Sequence, residues 1–368
     1  TVTRGKVHDY LGMDLDYTVR GALRVSMIKY LGKVFDDFPE QITSTSSSPA
    51  ADHLFKIREG DAVKVLPEEQ AVHFHHTVAQ LLFLSTRARP DISTAISFLS
   101  TRVKQPDEDD WGKLKRVLKY LKGTRHMKLT LTVDSMNSIH WWVDASYGTH
   151  WDCKGHTGMM ASLGKGALMS FSHKHKLNAG SSTEAELIGI ADALRLMMWG
   201  KYFIEAQGYT VSHNVLYQDN KSTILLAKNG RMSGSNRTKH IEHRFYLVKD
   251  KIDRGDLEIE HMGTDKMWSD ILNKPKQGKV FREFRGHLMN VAEDYDDDVE
   301  RRNTHPLLLP AEEKISSNVS ETLKQIIRPV QDSKTVKPMI KQTKTLLEHR
   351  RSVLSEHEAR AMRKSSGH

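Results

Sequence analysis

Four acidic residues, Asp144, Glu186, Asp219 and Asp270, stand at separate points in the second half of the chain. The segments that carry them read as parts of one folded layer. Asp144 ends an apolar run, Ile139–Asp144. Asp219 ends another, Val215–Asp219. Glu186 falls at the start of a long helical pattern and Asp270 within a short one. Sites in open α/β sheets form beyond the strand ends, so two strand-end aspartates can become neighbours. A cluster of like charges is costly unless cations neutralise it. Ligands that are all oxygen suit Mg²⁺, which keeps several waters and binds phosphate. Two such ions about 4 Å apart can activate a water and stabilise the leaving oxygen of a phosphodiester. Taken singly, each acid has an ordinary reading as a helix cap or a solvated charge. Ser181 and Glu184 are spaced as a capping box, and so are Thr183 and Glu186, so local spacing leaves open which glutamate faces the site.

The elements that must position these acids follow from periodicity. From Ser138 to Gly278 the pattern gives three strands, then helix, strand, helix, helix, strand and helix. The strands are Ile139–Asp144, His156–Leu163, Gly166–Ser172, Val215–Asp219 and Leu257–Met262. The helices are Thr183–Gln207, Lys221–Lys228, Lys239–Arg254 and Asp265–Leu272, the last ended by Pro275. That order predicts an α/β sheet of mixed direction. Before it, helical patterns dominate after an opening hairpin. Trp111, Leu114, Val117, Leu118 and Leu121 recur at helical spacing, with Gly123 at the end. The Ser/Pro-rich stretch from Thr43 to Pro49 reads as a loop. From about Glu293 onward, acids and then Lys and Arg dominate, and this tail is expected to be disordered or loosely helical.

Composition sets the bounds. The 368 residues carry a formal charge of +9, which favours a polyanionic partner. The single cysteine, Cys153, excludes an internal disulfide framework and a Cys-rich zinc site, and fits a reducing compartment. His73, His75 and His76 lack the acid or Cys that would complete a metal pattern. No run resembles a signal peptide or a membrane span. The chain begins with Thr, so a fragment or a processed product is expected.

Ordered blocks of residues resemble the Pol proteins of copia-type LTR retrotransposons. They are Trp141-Trp142-Val143-Asp144-Ala145-Ser146, Ser181-Ser182-Thr183-Glu184-Ala185-Glu186-Leu187, Tyr217-Gln218-Asp219-Asn220-Lys221-Ser222, Arg237-Thr238-Lys239-His240-Ile241, and the stretch from Thr264 ending in Asp270-Ile271-Leu272-Asn273-Lys274-Pro275. The resemblance implies a ribonuclease H-like α/β domain, a mixed five-stranded sheet with flanking helices, over residues 136–285. It implies Mg²⁺, two ions, with Mn²⁺ as a substitute, held by Asp144, Glu186, Asp219 and Asp270. It selects Glu186 over Glu184, because the family's glutamate precedes an apolar residue, here Leu187. It suggests His261 as an aid to product release, and Asn220, Ser222, Arg237, Lys239 and His240 as contacts to an RNA–DNA hybrid. Lys221, Arg231 and Arg244 would add to the cleft's positive charge. Asn273 stands where the family has Thr and is expected to touch no metal ligand.

The first part resembles the same family. His8-Asp9-Tyr10-Leu11-Gly12-Met13 is similar to the hairpin that supports the primer end. Leu81–Ile92 and Arg116–Thr124 are similar to blocks of the thumb and connection of reverse transcriptase. Residues 1–135 are therefore expected to be a mainly helical end of the palm plus thumb and connection, and 286–368 a charged tail. The polymerase motif itself is absent. Val34-Phe35-Asp36-Asp37 is the nearest match, lacks its tyrosine, and stands on the wrong side of the primer-support stretch. The expected activity is a Mg²⁺-dependent endoribonuclease that cuts the RNA strand of RNA–DNA hybrids, with the rest of the Pol polyprotein as partner and no membrane. Its expected location is the cytoplasm, with virus-like particles and the nucleus as alternatives. The competing reading is a catalytically decayed nucleic-acid-binding fragment. An integrase would want a different carboxylate set and a zinc-binding region, neither of which is found.

Overall fold

A computed structural model describes residues 4–60, 63–229 and 239–295, with side chains from 246 onward in the last stretch. Strands β1 (Val7–Tyr10) and β2 (Met13–Asp16) form a hairpin in which Tyr10 faces Met13. Leu11 and Gly12 between them have φ of 52° and 79°. Positive φ at both central residues is the mirror-image turn whose twist suits a hairpin. Strand β3 (Ala22–Ser26) follows, then helices α1 (Ile28–Asp37), α2 (Glu68–Ser85), α3 (Ser93–Ser100) and α4 (Glu108–Gly123), and strand β4 (Leu129–Val133). Helix α4 starts where Asp107 accepts from the Asp110 N–H at 2.9 Å and Asp110 accepts in return at 3.1 Å. That reciprocal cap satisfies N–H groups the helix cannot. Its apolar stripe, Trp111 to Leu121, is buried.

The second half supplies β5 (Ser138–Ser146), β6 (His156–Ser162), β7 (Gly164–Lys165), β8 (Met169–Lys174), α5 (Ser182–Ala206), β9 (His213–Gln218), α6 (Lys221–Asn229), α7 (Lys239–Asp253), β10 (Glu258–His261) and α8 (Gly278–Met289). The five-stranded sheet runs β10-β9-β5-β6-β8, with β5, β9 and β10 parallel, β6 antiparallel to β5, and β8 antiparallel to β6. This is the mixed α/β sheet the element order predicts. The β7 pair leaves it to join β4, closing a second, antiparallel sheet β1-β2-β3-β4-β7.

Strand alternation decides which face packs where. Ile139, Trp141 and Val143 of β5, with Met159 and Ala161 of β6, join the core under α5. Trp142 and Met160 point the other way, into a core shared with α1 to α4 and α8. Residues on both sides of position 135 thus share one apolar interior. Thr94 of α3 donates to the Ile271 carbonyl at 2.6 Å, and the Ala167 N–H to the Leu288 carbonyl at 2.8 Å.

Two local readings differ from the sequence pattern. The helix expected over Asp265–Leu272 is a pair of short 3₁₀ turns, Thr264–Lys266 and Trp268–Leu272, broken by Met267 at φ −81°, ψ 77°. The helical run comes later, as α8, where Phe281, Phe284 and Leu288 have a core to enter. The third strand begins at Met169 rather than Gly166, because Gly166, at φ 80°, lies against β4: a Cβ there would come within 2.2 Å of the Thr130 carbonyl oxygen.

Candidate active site

In the parallel pair β5–β9, Trp142 faces Tyr217. Asp144 and Asp219, each two residues further on, therefore emerge side by side at the same end of the sheet. Across the antiparallel pair Asp144 faces Gly158. A side chain at Gly158 would meet the Ser269 carbonyl oxygen at 2.5 Å and Leu272 at 2.7 Å. The missing side chain lets the 3₁₀ turn with Asp270 lie directly on the sheet beside Asp144. Glu186 arrives from above. Its helix begins at Ser181, whose Oγ accepts from the Glu184 N–H at 3.2 Å, while Glu184 accepts from the Gly180 N–H at 2.8 Å. Glu184 is thereby occupied at the helix start, and Glu186, further along, turns inward and accepts from the Ala145 N–H at 2.9 Å.

Asp144, Glu186 and Asp219 bring one carboxylate oxygen each within 4.8 Å of the others. Asp144 and Glu186 are buried and Asp219 partly so. Gln218 donates to Glu186 at 3.3 Å and Thr264 to Asp219 at 2.9 Å. These partners are neutral. Burial first, and then the charges of Asp144 and Asp219, push the Glu186 carboxyl well above its ordinary range. A largely buried group of three acids, two of them held only by neutral donors, is a donor set that fits a hard divalent cation.

Asp270 is buried beside Asp144 but faces ammonium groups. Lys274 lies 3.0 Å from Asp144 and 2.8 Å from Asp270, and Lys276 lies 2.7 Å from Asp270. Burial raises the carboxyls of both aspartates. In Asp144 a hydrogen bond from Asp270, Lys274 and the Asn273 amide outweigh it, so its carboxyl is held below the usual range. In Asp270 burial and the neighbouring Asp144 win, so its carboxyl is held above that range. The expectation that Asn273 touches no ligand is corrected: its Nδ2 donates to Asp144. Lys274 and Lys276 carry no role in the sequence reading either. The i,i+4 spacing of Asp270 and Lys274 was the available signal.

The other candidates fall as follows. His261 is exposed at the end of β10, paired in register with Gln218, next to Asp219. Asn220 uses its Oδ1 to accept from the Thr223 N–H at 3.1 Å, capping α6, and Ser222 is exposed on the first turn. Arg237 and Arg231 lie outside the described residues, as do the side chains of Lys239, His240 and Arg244. Asp36 is exposed and Asp37 accepts from Gln80 at 2.6 Å, both in the last turn of α1, apart from the acid group. Among the described residues no helix is long and apolar enough to cross a membrane.

No protein-family model matches the chain. It is 29% identical over 276 residues to a retrovirus-related Pol polyprotein from transposon TNT 1-94 of Nicotiana tabacum, covering 73% of this chain and 20% of that protein. It is 32% identical over 198 residues to the Pol polyprotein from transposon RE2 of Arabidopsis thaliana, covering 53% and 14%. A putative transposon Ty5-1 protein of Saccharomyces cerevisiae is 29% identical over 195 residues, covering 52% and 61%. The chain thus spans a fifth or less of the two plant polyproteins. Among solved structures, LC11-RNase H1 in complex with RNA/DNA hybrid aligns at 18% identity and a TM-score of 0.29, over 37% of this chain and 94% of that one. The foamy viral protease-reverse transcriptase in complex with RNA/DNA hybrid aligns at 12% and 0.40, over 74% and 31%. The strand order and the helices that flank it make the second half a ribonuclease H-like α/β fold. By sequence, the chain is similar to part of the Pol polyproteins of copia-type retrotransposons.

Proposed function

We propose that this chain is a Mg²⁺-dependent endoribonuclease that cuts the RNA strand of RNA–DNA hybrids as part of a reverse-transcribing polyprotein. The observation that carries the reading is the convergence of Asp144, Glu186 and Asp219, from three separate elements, within 4.8 Å. Structure alone does not require two buried acids and a partly buried third to meet. Mg²⁺ held there would supply an activated water and neutralise charge at the phosphate. Hydrolysis then adds water across phosphorus: the bond to the 3′ oxygen breaks, leaving a 5′-phosphate and a 3′-hydroxyl.

The chain's own groups have separable tasks in this reading. Gln218 and the Ala145 N–H fix the Glu186 carboxylate. Thr264 orients Asp219. Asn273 and Lys274 hold Asp144 against the Asp270 turn. With its Oδ1 accepting at the helix cap, Asn220 keeps its NH₂ as a donor for the RNA 2′-OH. Ser222 stands beside it, and Arg237, Lys239 and His240 would hold the phosphates without reading sequence. His261, exposed beside Asp219, would help the product leave. The rest of the polyprotein would be the partner, in the cytoplasm or a virus-like particle.

The test is cleavage of a labelled hybrid, with single-stranded and duplex RNA beside it, with and without Mg²⁺. Cutting confined to the hybrid, dependent on metal and abolished in Asp219→Asn, with a cooperative melt showing that the variant is folded, is the expected result. Cutting by that variant would overturn the assignment. Salt-sensitive hybrid binding without any cutting would instead identify a decayed binding fragment.

A further inference from the structure

The acid site has two unlike halves. The donors that reach Glu186 and Asp219 among the described residues are all neutral: the Ala145 N–H, Gln218 and Thr264. On the other side Asp144 Oδ2 and both Asp270 oxygens are already engaged. Lys274 Nζ lies 3.0 Å from Asp144 Oδ2 and 2.8 Å from Asp270 Oδ1. Lys276 takes Asp270 Oδ2 at 2.7 Å, and Asn273 donates to Asp144 Oδ2. A bridging divalent ion would need the same lone pairs. Mg²⁺ requires oxygens at about 2.0–2.1 Å in octahedral array, and an ammonium bridging the same two carboxylates excludes it.

We propose that Lys274 is a resident cation in the second-ion position, so that the hybrid-free chain binds one divalent ion, at Asp144, Glu186 and Asp219, and a second only when Lys274 withdraws. This rests on the reading that the acids hold divalent metal, and it adds a device that regulates how many ions enter.

Three features support a lysine that comes and goes. It is tethered: Lys274 follows Asp270 by four residues, and its N–H donates to the Asp270 carbonyl at 3.0 Å, which holds its backbone while the side chain moves. Its side chain is 41% exposed, against 2% and 3% for the carboxylates it bridges, so it has a path to solvent that they lack. And a phosphate arriving at the site offers the ammonium another anionic partner, so substrate entry itself would clear the position. Lys276 differs, since of the two carboxylates it pairs with Asp270 and not with Asp144. If Lys274 served only to steady the turn, removing it would change stability and leave the ion count unaltered.

The experiment counts Mn²⁺ bound to the full 368-residue chain without nucleic acid, from the loss of the free-ion EPR signal. Wild type is expected to bind one ion, Lys274→Met two, and Asp270→Asn one. Lys274→Gln is carried alongside, expected to bind two, and thermal melting verifies that each variant is folded. Two ions in hybrid-free wild type would overturn the inference, as would a single ion in a folded Lys274 variant, and both leave the metal reading standing. Loss of the first ion in Asp270→Asn would also overturn it, since the two halves would then not be separate. No bound ion in wild type would overturn the metal reading and this inference with it.

Discussion

Replacing Glu186 with Gln should make the metal-free chain more stable and remove its response to metal. Gln keeps an oxygen where Oε2 accepts from Ala145 and Gln218, so the local hydrogen bonds survive. What goes is one negative charge among three within 4.8 Å. At that separation and an effective dielectric of 20, each like-charge pair costs about 3.5 kcal/mol. Protonation of Glu186 relieves the cost, so this figure is a ceiling on the gap and the gap depends on pH. Because the folded chain holds the Glu186 proton to higher pH than the unfolded chain, it binds more protons in that window, and stability falls as pH rises above 4.5. Gln cannot ionise, so the variant should match wild type in acid and exceed it increasingly toward neutral pH. Mn²⁺ at one hundred times its dissociation constant should add about 2.7 kcal/mol to wild type. At roughly 2 °C per kcal/mol for a chain longer than 250 residues, that is a rise of roughly 5 °C, absent in the variant. Calorimetric melting across pH, with and without Mn²⁺, is the assay. Equal melting of both proteins at every pH, or an equal rise with metal, would refute the reasoning.

Other positions give independent checks. Burial, with Lys174 nearby, pushes the buried His150 down to about 4 from 6.5. The unfolded chain therefore binds more protons between those values, and about 3 kcal/mol of stability should be lost as pH falls from 6.5 to 4. His150→Gln should lose less, read as urea midpoints at the two pH values. Asp91→Ala strips the partner from buried Arg89 and from the Tyr120 hydroxyl, at 2.7 and 2.6 Å. It should cost about 3–5 kcal/mol in chemical denaturation. Gly158→Ala drives a methyl into the Ser269 carbonyl and should cost about 1–3 kcal/mol. It should also cut hybrid cleavage by displacing Asp270, whereas unchanged turnover would show that the turn has slack.

The sequence displays local pattern far better than long-range contact. Helix α4 could be read from its stripe and cap because both lie within sixteen residues. Asp144 and Asp219 could be read because an apolar run marks each strand end. Asp270 could be named from its motif, but not its 3₁₀ turn, whose shape is set by packing Trp268 against Phe284 and His287. The contact between Asn273 and Asp144 spans 129 positions, and no local spacing announces it. The shared interior was equally hidden, because Trp142 and Met160 are apolar whichever side of the sheet they face. The face with Trp141 follows from alternation, but what covers the opposite face depends on α3 and α8.

That shared interior bears on how such an element could recombine. A crossover near residue 135 would deliver a sheet whose Trp142 and Met160 had lost their cover, joined to helices shaped for a different sheet. The β7 pair raises the stakes, since two residues between β6 and β8 complete a sheet that begins at β1. Exchange between related elements should therefore favour breakpoints outside residues 7–289, and chimaeras joined within that span should need compensating changes on both sides of the seam.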